Sequence, residues 1–92
     1  MEVDYDPGKN AWNIKERKLA FDRASDLDWN TAHVRLDGRM DYGEQRWIAL
    51  GFLDGRLHVL VFTETANGIR VISFRKANTR EGNIYEQAQT TD

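Results

Sequence analysis

"WIALGFLDGRLHVLVFTETANGIRVISFRK", residues 47–76, decides the fold of this 92-residue chain. Apolar runs rich in Val, Ile, Leu and Phe are separated by Asp54-Gly55 and Asn67-Gly68. Such dipeptides accept the positive φ angles of tight hairpins, so each marks a reversal between two strands. Upstream, Asp37-Gly38 in "HVRLDGRMDY" is a third signal of the same kind. Three turns in succession predict an antiparallel meander of four strands, near residues 33–38, 45–53, 56–63 and 69–75. The segments "LHVLVF" and "IRVISF" lack clean alternation, which predicts a sheet covered at least in part on both faces.

Helices are expected on either side. Asp6-Pro7 is a start signal, because Asp accepts from free first-turn amides and Pro has no N–H to waste there. That helix runs to about Arg17. In "AFDRASDLDW" the residues Phe21, Ala24 and Leu27 recur at spacing three and predict a second short helix. After the last strand, Asn78 and Glu81 form a capping box that opens a closing helix with Ile84 and Ala88 on its apolar edge. The expected architecture is α+β: two N-terminal helices, a four-stranded antiparallel meander sheet and a C-terminal helix, in one domain over residues 1–92. The tail from about residue 87 to 92 should fray.

Composition narrows the function classes. The chain has no cysteine, which removes disulfides and thiolate metal sites and fits a reducing cytoplasm. "WIALGFL" is too short to cross a bilayer, and "MEVDYDPGKN" has no signal-peptide pattern. A soluble cytoplasmic protein without membrane contact is the expectation. The net charge of −2 hides an asymmetry. Residues 1–31 carry seven acids and five bases, whereas residues 32–80 carry eight bases and five acids. Local charge governs whether one face attracts an anion.

The familiar catalytic signatures are missing. His33 and His58 are the only histidines, and His58 inside a strand reads as a packed residue. Two histidines without cysteine make no metal cluster, and no cofactor motif is present. Ser73 has no histidine within sequence reach. What remains is Arg75-Lys76, leaving the last strand just before a helix N-terminus. Guanidinium, ammonium and helix terminus converge there, which favours a phosphate. Arg80 sits in the first helical turn, where a cation is unfavourable and needs a reason. Arg70 shares side-chain parity with Lys76 if the strand is unbroken. The plainer reading makes these bases a surface fringe paired with Glu44, Glu64 and Glu81.

The same residues resemble the BrnT toxins of bacterial type II toxin–antitoxin modules. The family's GE-x-R strand is matched by Gly43, Glu44 and Arg46, and its G-x-x-x-GR hairpin by Gly51, Gly55 and Arg56. Its T-E is matched by Thr63 and Glu64. The R-I-I-S-A-R-K/R-A run is matched by Arg70, Ile72, Ser73, Arg75, Lys76 and Ala77, and the closing helix by Glu81 and Tyr85. Near the N-terminus Asp6, Pro7, Lys9 and Asn13 fit D-P-x-K-x-x-x-N, and Phe21 and Ala24 fit F-x-x-A. Three positions depart. Glu16-Arg17-Lys18 replaces Lys-His-Gly, Thr65 replaces the arginine of T-E-R, and Phe74 replaces alanine.

The resemblance implies a RelE-like fold and an endoribonuclease that cuts mRNA without metal or cofactor and arrests growth. It implies neutralisation by a ribbon-helix-helix, BrnA-like antitoxin, with operator DNA bound only through that partner. Single-stranded RNA is the implied substrate. Its 2′-hydroxyl can attack the adjacent phosphate, so the protein need only orient the strand and stabilise charge. On this reading Arg75 and Lys76 grip the phosphate and Arg70 and Arg46 position the backbone. Glu64 is a base, and Tyr85 is an acid or a stacking ring. Arg56, Arg80 and Ser73 complete the RNA contacts. The alternative is a non-catalytic interaction module whose basic face binds an acidic partner or nucleic acid.

Overall fold

The computed structural model describes residues 1–39, 41 and 43–90. The three central strands lie where the turn signals put them: β3 (Trp47–Leu53), β4 (Arg56–Glu64) and β5 (Gly68–Lys76), with β2 (His33–Leu36) beside β3. Asp54 and Gly55 both take positive φ, 52° and 75°, as a tight β3–β4 hairpin requires. The other two signals act differently. Asp37-Gly38 is not a tight turn, because β2 ends at Leu36 and pairs with Trp47 across a ten-residue connection. Asp37 instead turns its buried carboxylate to Arg39, which donates to both oxygens at 2.8 Å.

The four-stranded meander is incomplete, and the sheet is mixed. A short strand, β1 (Glu2–Tyr5), lies parallel to β5 and gives five strands in the order β1-β5-β4-β3-β2. Gly68 makes this possible, since a Cβ there would sit 2.0 Å from the Glu2 carbonyl oxygen. Neither Asn67 nor Gly68 takes positive φ, and Gly68 opens β5, so the glycine read as a turn residue serves the close approach of β1 instead. Val3 and Tyr5 are half-buried while Glu2 and Asp4 face solvent, the alternation of a strand covered on one side.

Only one α-helix precedes the meander. Helix α1 (Pro7–Arg17) is capped by Asp6, whose Oδ2 accepts from the Lys9 amide at 3.3 Å. The segment expected to form a second helix is a 3-10 helix, Phe21–Asp26. Ala20 offers no side-chain cap, and the Phe21 amide donates to Asn10 Oδ1 at 2.8 Å instead. A spacing of three without i+4 partners matches three residues per turn, so Phe21, Ala24 and Leu27 form one buried row. The closing helix, α2 (Thr79–Thr90), starts where the capping box predicts and extends to Thr90, into the segment expected to fray. Residues 91–92 lie outside the described residues.

Two cores result, one on each sheet face. Leu60, Phe62, Val71 and Phe74 pack against Leu19, Phe21, Ala24 and Leu27 on the side of α1 and the 3-10 helix. Ile48, Leu50, Leu57 and Val59 pack against Ala77 and Tyr85 of the α2 side. Burial on both faces removes the reason for period-two alternation in β4 and β5.

Candidate active site

The β4–β5 register places the two cations that end β5. Val61 pairs with Ser73 and Phe62 with Val71, so Ile72 is the extra residue of a bulge. Arg70 and Lys76 consequently do not share a face. Arg75 lies opposite Val59 on the α2 side, and Lys76 lies opposite His58 on the α1 side. Beyond Val71 the outer edge of β5 has no β1 partner. There buried Asn13 Nδ2 donates to the Phe74 carbonyl at 3.0 Å, joined by Arg17 at 3.3 Å.

Arg75 is committed. Its guanidinium donates in a bidentate fork to Glu81, at 2.7 and 2.8 Å. Glu81 Oε1 also accepts from the Asn78 amide at 2.9 Å, and Asn78 Oδ1 accepts from the Glu81 amide at 2.8 Å. The arginine beside it holds the Glu81 carboxyl below the usual carboxylate range, and Glu81 in turn raises Arg75. The α2 N-terminus is thus capped by its own residues, and Arg75 bolts the helix to the strand.

Lys76 is not committed: among the described residues its ammonium has no hydrogen-bond or ion-pair partner. It borders a cleft of about 690 Å³ at the sheet end, together with Arg17, Lys18, Arg56, His58 and Arg75. Glu16 and Asp54 are the acids at its rim, with Arg23, and Asp54 is tied to Arg23 at 2.9 Å. His58 Nδ1 lies 2.7 Å from the Arg56 carbonyl. Burial, then the neighbouring Lys76 and Arg56, push the imidazole below its usual pKa. A second cleft, about 200 Å³, lies on the α2 face between Arg35, Arg39, Arg75, Arg80 and Glu81. It gives Arg80 its place.

Residues 5–81 match the model of a family described as the ribonuclease toxin, BrnT, of type II toxin–antitoxin system. The chain belongs to the BrnT family. Among curated proteins no match is found. The matched span of this BrnT chain takes in α1, the whole meander and the Arg75–Glu81 fork.

The departures from the BrnT pattern have structural readings. Lys18 stands where glycine is usual and takes the left-handed conformation, φ 57°, at the end of α1. Phe74 is fully buried, and its ring lies 5.6 Å from that of His58. Thr65 follows Glu64 at the opposite end of the sheet from Lys76.

Several residues singled out from the sequence are not brought to the cleft. Glu64 lies five positions along β4 from the partner of Arg75, about 17 Å at the rise of a strand. Arg70, at that same end, is paired with Asp4 at 2.8 Å, and Arg46 with Glu44 at 3.3 Å. Tyr85 is buried, donates its hydroxyl to the Thr31 carbonyl at 3.1 Å and meets Phe52 edge-on. Ser73 borders a small pocket beside Trp12 and Lys9. Sequence reasoning passed over Arg17 and Lys18 as site residues and set His58 aside as a packed strand residue. Their common signal is position: Arg17 and Lys18 end α1, and His58 sits two residues after Arg56, which follows the turn to the same edge.

Proposed function

We propose that this BrnT chain is a metal-independent endoribonuclease that cuts mRNA in the cleft bordered by Lys76. One observation carries the reading. An uncommitted ammonium lies among further cations at the mouth of a cleft wide enough for a nucleotide and its phosphates. Lys76 and Arg56 hold the scissile phosphate, and Arg17 and Lys18 attract the flanking backbone. The ribose 2′-hydroxyl supplies the nucleophile, and the cations stabilise the charge that grows on phosphorus. Arg75 keeps strand and helix in register and adds its field at the rim. Acting in the cytoplasm, the enzyme arrests growth until a ribbon-helix-helix antitoxin covers it.

The test is growth arrest on induction of Lys76→Ala combined with Arg56→Ala. Arrest should disappear while the melting temperature stays within a few degrees. Arrest that persists in a folded double variant refutes these roles. Purified protein should cut single-stranded RNA in EDTA. Salt-sensitive binding without cutting would favour the non-catalytic module instead.

A further inference from the structure

We propose that His58 is the general base of this cleft, taking the proton of the attacking 2′-hydroxyl on Nε2. The inference rests on the ribonuclease reading above and adds the group that reading lacks. Glu64 does not reach a phosphate held by Lys76, since it lies six positions along β4 from His58, the partner of Lys76, about 20 Å at the rise of a strand. On the cleft itself Asp54 is tied to Arg23 and Glu16 is exposed at the end of α1, which leaves His58, opposite Lys76 on the ladder, as the base beside the phosphate.

The geometry points to the imidazole. A carbonyl oxygen can only accept, so the 2.7 Å contact with Arg56 fixes the ring proton on Nδ1. The lone pair is then on Nε2. His58 is buried but borders the cleft, and Nε2 has no hydrogen-bond partner among the described residues, so its lone pair is left for a bound ribose. A packed strand histidine would have both nitrogens engaged or sealed. The ring is held against Phe74 and lies opposite Lys76 across the ladder. A phosphate drawn by Lys76 and Arg56 brings its neighbouring 2′-hydroxyl to the same edge. Nε2 takes the proton, the 2′-oxygen bonds to phosphorus, and the bond from phosphorus to the 5′-oxygen breaks. The leaving alkoxide takes a proton from water, giving a 2′,3′-cyclic phosphate and a 5′-hydroxyl.

Burial first, and then the charges facing the ring, set the pH behaviour. Lys76 on β5 and Arg56 on β4 disfavour protonation, with Arg17 and Lys18 from α1 and Arg23 from the 3-10 helix on the same cleft. Asp54 in the turn opposes them, and Glu16 faces the cleft as well. The free imidazole is therefore neutral at pH 7. A bound phosphate brings negative charge and raises it. The acid limb of kcat should consequently lie at higher pH than the acid limb of kcat/KM, which falls below 6.5.

The experiment measures cleavage of a short single-stranded RNA between pH 5 and 8 by the wild type, His58→Phe and His58→Gln. Binding of the same oligonucleotide with a 2′-deoxy sugar at the cut site is measured alongside. The expected result is a fall in kcat of about 100-fold or more, in the range of a lost general base. The acid limb should vanish, and Kd for the 2′-deoxy oligonucleotide should hold. A folded variant that keeps both its rate and its acid limb overturns the assignment. So does a wild-type profile with no acid limb near the expected pH, whatever the variants do. RNA left uncut by the wild type would instead refute the ribonuclease reading on which this role stands.

Discussion

Lys18 shows how one residue carries both a structural strain and a charge on the cleft. Its left-handed backbone lacks the freedom of glycine, and it still ends α1, its amide donating to the Ile14 carbonyl at 3.0 Å. Lys18→Gly should therefore stabilise the protein by about 1 kcal/mol and raise Tm by several degrees in thermal unfolding. The same change removes a cation from the cleft, so it should weaken RNA binding. Stability without tighter binding is the expected signature. An unchanged or lower Tm would mean that the lysine side chain itself holds the helix end. At this scale the motif residues were legible as types, but not as roles. Arg75-Lys76 looks like one cationic pair in the sequence, yet strand alternation sends the two to opposite faces.

Elements form where local signals agree with one another. Asp6-Pro7 begins α1, Asn78 and Glu81 cap α2, and Asp54-Gly55 closes a hairpin, each because neighbouring residues alone satisfy the backbone. What the sequence hid depends on distant partners. Strand β1 has four residues and pairs with a segment more than sixty positions away, so no local pattern announces it. The bulge at Ile72 carries no glycine or proline to mark it. Asn67-Gly68 reads as a tight turn in the sequence, but neither residue takes positive φ, and the duty of Gly68, admitting β1, was not legible. Gly68→Ala should therefore detach β1 while the β3–β4 hairpin survives. Hydrogen exchange is expected to rise in residues 2–5 and 68–71, with Tm lowered; unchanged protection there would contradict the close approach.

The whole molecule is a sheet buried on both faces whose charged groups collect at its ends. The α2 face relies on the Arg75–Glu81 fork, and its stability should follow the titration of Glu81. With the folded pKa depressed, that contribution is complete above the ordinary value of 4.5 and is lost as pH falls through the folded value. His58 is also depressed, so protonation favours the unfolded chain once pH drops below 6.5. Tm should thus decline in two stages on acidification. Glu81→Gln should remove the lower stage and cost about 1–2 kcal/mol at pH 7, from the weakened cap and fork. A Glu81→Gln protein with the wild-type acid profile would show that α2 is held by Tyr85 and its apolar neighbours alone.

The cleavage rate of a single-stranded RNA in EDTA, compared between wild type and Lys76→Ala, tests the account most directly. The wild type should cut and leave a 2′,3′-cyclic phosphate, and Lys76→Ala should fall by about 100- to 1,000-fold at nearly constant Tm. A folded Lys76→Ala protein that cuts at the wild-type rate, or a wild type silenced by EDTA, would contradict the claim that this lysine's charge stabilises the reacting phosphate.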